Sequence, residues 1–131
     1  MEKCFHPLNP KAALTELEEI DAEQLIFTIS ESFRDLVAAT GAKNFTYDSE
    51  KGRGEVTFTV PRGYCANHAH KIAIRCTYDD LITVEFFSRS GKLVDRIPPL
   101  WCTEVLAAFR EHTAMQTTVP KILQSRINWN F

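Results

Sequence analysis

The chain of 131 residues is long enough for one domain, and its composition, 44% hydrophobic, 11% aromatic and 24% charged, is globular rather than disordered. A formal net charge of −2 gives no general affinity for a nucleic-acid backbone, so nucleic-acid binding is disfavoured. No apolar stretch approaches the roughly 20 residues that cross a bilayer, and the N-terminus lacks the apolar core of a secretory signal. We therefore expect a cytoplasmic protein without a membrane segment.

The first third of the chain is acidic, and its residue pattern predicts two helices. Ten acidic and four basic residues fall within 1–50. Asn9-Pro10 has the form of a helix start, and the apolar residues on one side of this short helix are Ala13, Leu14, Leu17 and Ile20. We predict a second helix from Asp21, since Gln24 follows at capping-box spacing. Gly41 ends this helix, because glycine tolerates the left-handed conformation of a helix C-terminus.

Between residues 45 and 97 the apolar period changes to two, which predicts five strands. Their apolar residues are Phe45 and Tyr47; Val56, Phe58 and Val60; Ile72, Ile74, Cys76 and Tyr78; Ile82, Val84 and Phe86; and Leu93, Val94 and Ile97. Short turn sequences, such as Asp79-Asp80 and Ser90-Gly91, join successive strands. Because short connections make neighbouring strands antiparallel, we expect the strands to form a meander.

The last part of the chain is predicted to return to helix. Pro98-Pro99 ends the sheet and opens a helix through residue 113. Thr118 caps a last short helix with Ile122 and Leu123 on its inner side. The element order is then α-α-β-β-β-β-β-α-α, which is typical of an α+β fold. We therefore predict one α+β domain over residues 1–131, in which helices pack on one face of an antiparallel five-stranded meander.

Three surfaces of this predicted fold are candidates for partner binding. The first helices present an acidic side, the open face of the sheet is polar and slightly basic, and the C-terminal tail carries alternating aromatic residues. The residues chosen from these surfaces are Glu18, Glu19 and Glu23, then Arg75, Phe87 and Arg96, and finally Trp129 and Phe131. A partner of opposite charge would gain mainly in association rate and selectivity.

No familiar catalytic motif is present, since the chain lacks GxGxxG, a P-loop, HExxH and GxSxG. We therefore expect a non-enzymatic protein-binding module of the adaptor, chaperone or inhibitor type, without a cofactor. Its partner is expected to be another protein or a second copy of the chain, which would make a homodimer.

Two alternative functions stay open. Cys65, His68 and His70 lie in the loop 62–70, and cysteine and histidine are the usual ligands of zinc, so one alternative is a zinc site. Nearby histidines and Arg62 also favour ionisation of a thiol, so the same loop is a candidate thiol-reactive site. The other alternative is a small ligand bound between the sheet and the helices. No CxxC pair is present, so we expect the four cysteines to be free thiols.

Overall fold

A computed structural model describes residues 2–119. The helices are α1 (Glu16–Phe27), α2 (Phe33–Thr40) and α3 (Val105–Thr113), and a short 3-10 helix spans Pro10–Ala12. The strands are β1 (Glu2–Cys4), β2 (Lys43–Asp48), β3 (Glu55–Thr59), β4 (Lys71–Cys76), β5 (Ile82–Phe87) and β6 (Leu93–Leu100). The predicted last helix with Ile122 and Leu123, and the tail with Trp129 and Phe131, lie outside the described residues.

The six strands form one antiparallel sheet in the order β1-β2-β3-β4-β5-β6, so strands that follow one another in the chain are neighbours. This arrangement confirms the predicted α+β class and the antiparallel meander. The sheet has one strand more than predicted, because Glu2, Lys3 and Cys4 pair with β2 opposite Asp48, Tyr47 and Thr46. Three residues are too few to show an alternating pattern, and the two helices separate β1 from its partner along the chain.

A 3-10 helix begins at Pro10 after Asn9, as predicted, but α1 and α2 begin at residues other than those predicted. Thr15 caps α1, because its Oγ1 accepts a hydrogen bond from the Glu18 N–H at 3.2 Å while the Glu18 carboxylate accepts one from the Thr15 N–H at 3.1 Å. Asp21 therefore lies inside α1 instead of at a helix start. Ser32 caps α2 by accepting a hydrogen bond from the Asp35 N–H at 3.0 Å, so the predicted helix 21–40 is two helices. Gly41 ends α2 at φ 71°, as predicted.

Pro98-Pro99 was expected to open a helix, but both prolines lie inside β6 and α3 begins only at Val105. The strand tolerates them because β6 is at the edge of the sheet and has a neighbouring strand on one side only. A proline, which has no backbone N–H, therefore costs the sheet fewer hydrogen bonds there than in a central strand. Within residues 2–119, no helix has the length and apolar content needed to cross a membrane.

One face of the sheet carries the core. α1 lies against β3 and β4, and α3 lies against β5 and β6. The residues predicted to face the helices are all fully buried: Val56, Phe58, Ile72, Ile74, Val84 and Phe86. Successive strand residues point to opposite faces, so Arg75, Glu85 and Phe87 lie on the face away from the helices, as predicted.

Candidate functional site

Helix α1 is apolar on two opposite sides. Its inner side buries Ala22, Leu25 and Ile26 in the core. Residues three, four or seven apart share a helix face, so Leu17, Ile20 and Phe27 fall together on the side opposite the buried residues. These three side chains, here called the outer stripe, are 74%, 45% and 52% exposed. Leu17 and Ile20 were predicted to share one side of a short helix that begins at Asn9-Pro10; both lie in α1 instead, which turns its other side toward the sheet.

A row of carboxylates runs along one flank of the outer stripe. Glu16, Glu19 and Glu23 follow one another at helical spacing, and we call them the acidic row. α1 contains two further acidic residues and no lysine or arginine. Within the part of the chain that the structure describes, the acidic row makes no ion pair. The outer side of α1 is therefore an apolar strip beside uncompensated negative charge.

Glu18 does not belong to this free surface. Its carboxylate lies 2.8 Å from the Lys3 ammonium and also closes the capping box with Thr15. The hydrogen bond from Lys3 holds the pKa of Glu18 below its usual value. Of the three acids chosen from the sequence, Glu19 and Glu23 are thus available to a partner, whereas Glu18 ties β1 to the start of α1.

A groove beside the acidic row extends the candidate binding surface on the outer side of α1. It has a volume of about 290 Å³ and lies between α1, the start of α2 and the segment that follows β1. Glu19, Glu23 and Phe27 form its α1 wall, and its other lining residues are Pro7, Leu8, Pro10, Ser32, Phe33 and Arg34. Leu8 is 56% exposed. The groove can therefore take an apolar side chain close to the two glutamates of α1 and to Arg34 of α2.

On the open face of the sheet, the charges largely satisfy one another. Arg75 Nη1 lies 2.9 Å from a Glu85 oxygen and 3.0 Å from a Glu55 oxygen, and Lys51 approaches Glu55 at 3.4 Å. Burial opposes the charge of Arg75, but its hydrogen bonds with Glu85 and Glu55 outweigh this and raise its pKa. Arg75 is therefore held within the fold and is a weaker candidate for partner contact.

The other two predicted residues of this face are more accessible. Arg96 is exposed, and Phe87 is half-buried between Lys71 and Leu93, its partners on the neighbouring strands. They lie on different strands and rows of the sheet, without an apolar surface between them comparable to the outer stripe.

The loop 62–70 separates its cysteine from its histidines. Cys65 is buried against the core with its sulfur 3.7 Å from that of Met115, whereas His68 is exposed and His70 contacts the Val60 carbonyl oxygen. Burial raises the pKa of the Cys65 thiol to about 11, so this thiol stays protonated near neutral pH. Residues 2–119 contain no group of three or more His, Cys, Asp and Glu side chains placed to hold one metal ion. This geometry does not favour the zinc or thiol-reactive alternative.

A second groove, of about 730 Å³, lies between α2 and the β1–β2 edge of the sheet. Phe5, Val37 and Phe45 line it, together with Leu8, which also faces the smaller groove beside α1. This is where a small ligand between sheet and helices would bind. That alternative stays a prediction, because the groove is largely apolar and its lining does not single out one ligand chemistry.

Comparison with protein-family models, with the curated proteins and with the solved structures finds no match to this chain. The functional argument therefore depends on the residues themselves. The outer stripe was missed in the sequence, although a signal was present. Thr15 and Glu18 have the spacing of a capping box, and a helix that begins there places Leu17, Ile20 and Phe27 opposite Leu25 and Ile26.

Proposed function

We propose that this protein is a non-enzymatic protein-binding module that holds a basic, amphipathic segment of a partner on the outer side of α1. One observation supports this proposal above the others: three large apolar side chains are exposed in one row beside the uncompensated acidic row. Exposed apolar surface rimmed by charged residues is typical of an interaction site.

The partner best suited to this surface is a helix with apolar residues on one face and lysine or arginine beside them. Such a helix packs along another helix or into a groove through residues three and four apart. Its apolar face would cover the outer stripe, and its cations would face the acidic row. The groove beside Phe27 would accept one further apolar side chain.

The two parts of the surface contribute differently to binding. Full burial of a Leu, Ile or Phe side chain contributes about 1.5–3 kcal/mol, and the residues of the outer stripe begin about half to three-quarters exposed. Part of this gain offsets the entropy lost on association. The acidic row lies at the rim, where charge mainly accelerates association and makes it sensitive to salt.

The same charges argue against a homodimer through α1. In a two-fold symmetric dimer, each copy offers the same patch to the other. Pairing the outer stripes would bring two helices together that carry five acidic residues each and no lysine or arginine. A different, basic partner would cover the outer stripe and also pair with the acidic row, whereas a second copy of the chain would only cover the outer stripe.

A designed peptide can take the place of the natural partner and test this proposal. The probe is a helical Leu/Lys peptide of about 14 residues, roughly four turns, and its control has the same leucines with Glu in place of Lys. We expect the basic peptide alone to bind, with a dissociation constant that rises with salt, in fluorescence anisotropy.

Matched variants locate the binding site. Leu17→Ser and Ile20→Ser are expected to weaken binding about tenfold or more each, and Glu19→Lys with Glu23→Lys to slow association and flatten its salt dependence. The controls are Tyr78→Ser, which removes an apolar residue 77% exposed elsewhere, and a charge reversal at the exposed Glu111 of α3. The proposal is wrong if the controls weaken binding as much as the α1 variants, or if the acidic peptide binds equally well.

A further inference from the structure

A pocket separate from the two grooves is lined by basic side chains. It has a volume of about 420 Å³ and lies where the β3–β4 loop meets the β5–β6 turn. Its lining residues are Arg62, Gly63, His68, Ala69, His70 and Arg89. Every ionisable side chain in this lining is a base. The lining thus brings together two arginines and two histidines, although Arg89 is distant from the others in sequence.

The histidine side of the pocket is held in place by the backbone. The His70 N–H donates to the Phe87 carbonyl oxygen at 2.8 Å, and Nδ1 of its ring lies 3.1 Å from the Val60 carbonyl oxygen. Since a carbonyl only accepts hydrogen bonds, Nδ1 is the donor and Nε2 is left for another partner. His68 has a left-handed backbone at φ 63°, fixed by its N–H bond to the Cys65 carbonyl oxygen at 3.0 Å.

Among the described residues, the arginines of the pocket have no carboxylate partner. Neither Arg62 nor Arg89 forms an ion pair within residues 2–119, in contrast to Arg75 on the open sheet face. The carboxylate tied to this loop, that of Asp95, accepts a hydrogen bond from Asn67 at 3.1 Å and contacts His112 at 2.7 Å. It therefore does not neutralise the pocket. Like charges around an empty space repel, and an anion placed among them relieves that repulsion.

We propose that this pocket binds the phosphate group of a small phosphorylated molecule. The planar guanidinium groups of Arg62 and Arg89 can each donate two parallel hydrogen bonds to phosphate oxygens. With Nδ1 donating to the Val60 carbonyl oxygen, Nε2 of a neutral His70 ring is an acceptor, so it can take a hydrogen bond from a hydroxyl group of the bound molecule. A dianion suits two permanent cations better than a carboxylate does, and the volume falls in the roughly 300–1,000 Å³ of small-molecule sites.

Binding of simple phosphates tests the proposal. The probes are inorganic phosphate and glycerol 3-phosphate, compared with succinate, a dicarboxylate of similar charge, in isothermal titration calorimetry at constant ionic strength. We expect both phosphates to bind more tightly than succinate. Tighter binding of glycerol 3-phosphate than of inorganic phosphate would show that the pocket also contacts the organic part.

Variants distinguish the pocket from a general surface charge. Arg62→Gln and Arg89→Gln are each expected to raise the dissociation constant for phosphate about tenfold or more, because each removes a charge-assisted, two-pronged contact. Lys92→Gln, in the same β5–β6 turn but outside the pocket lining, is the matched control and should leave binding unchanged. The proposal is overturned if succinate binds as tightly as phosphate, or if Lys92→Gln weakens binding as much as the arginine variants. Circular dichroism verifies that each variant is folded.

Discussion

Replacing Ala114 with glycine is expected to stabilise the protein. Ala114 ends α3 in the left-handed conformation at φ 57°, with its N–H bonded to the Arg110 carbonyl oxygen at 2.8 Å. Its side chain is exposed, so removing the methyl group costs no core packing. Gly41 occupies the equivalent position at the end of α2, at φ 71°. The exchange of alanine and glycine can therefore be tested both ways, as Ala114→Gly at the end of α3 and as Gly41→Ala at the end of α2.

The magnitude follows from the backbone. A left-handed conformation costs a residue with a Cβ about 1–2 kcal/mol, and the greater freedom of glycine in the unfolded chain offsets about 0.5–1 kcal/mol of this. Ala114→Gly should therefore raise the free energy of unfolding by about 0.5–1 kcal/mol. At about 2.1 cal/mol/K per residue, the unfolding entropy of this chain is about 0.28 kcal/mol/K, so Tm should rise by about 2–4 °C.

The reverse change, Gly41→Ala, should lower the free energy of unfolding by a similar amount or more. The new Cβ would also lie 3.0 Å from the Pro61 Cγ, which is closer than normal contact. Urea and thermal unfolding of both variants, followed by circular dichroism, measure the two effects. The reasoning is refuted if Ala114→Gly is neutral or destabilising, or if Gly41→Ala leaves the unfolding transition unchanged.

Three further predictions concern Asp95, Cys65 and Glu55. Burial raises the pKa of Asp95, but its hydrogen bonds with His112 and neighbouring groups outweigh this and lower it, so the resulting stability is present above about pH 4 and is lost as the pH falls through the folded pKa. In urea unfolding between pH 2 and 7, the free energy of unfolding of Asp95→Asn should fall less steeply with decreasing pH than that of the wild type. Equal dependence on pH in the two proteins would contradict this. Cys65, with its pKa raised to about 11, should react with a disulfide reagent at pH 8 only after urea unfolds the protein. Because Cys4 and Cys102 are exposed and react in the native state, the labelled peptides are identified by mass spectrometry, and rapid native labelling at Cys65 itself would show that its thiol is accessible. Glu55→Gln should lower the free energy of unfolding by about 1–3 kcal/mol, because Arg75 loses a charged partner at a site where Glu55 is only 3% exposed; a loss within the error of urea unfolding would argue against a stabilising pair.

Part of the candidate binding surface could be predicted from the sequence. Glu19 and Glu23 were chosen as an acidic helical side, and both line the groove beside α1. Leu17 and Ile20 were assigned to one side of a different helix, the short one that begins at Asn9-Pro10. The difference arises because α1 is apolar on two sides, and periodicity alone cannot say which of two apolar faces meets the sheet.

The pocket that contains Arg62 and Arg89 could not be predicted from the sequence, for a different reason. Arg62 and His70 belong to one loop, and the sequence indicated this loop, but for zinc or thiol chemistry that needs Cys65. Cys65 faces the core, where its sulfur lies 3.7 Å from that of Met115, fifty positions away. Arg89 joins the pocket because antiparallel pairing brings the end of β5 beside the start of β4, opposite Lys71.

By itself, the sequence determined the antiparallel sheet and the side of it that is buried, because alternation along a strand is local and places residues such as Val56 and Phe58 on one face. Gly41 ended a helix for an equally local reason. Only the tertiary structure decided that Glu2–Cys4 is an edge strand and that α1 exposes Leu17. Both depend on contacts between segments far apart in the chain, whose free energy comes from the surface that they bury together and not from the preference of either segment alone.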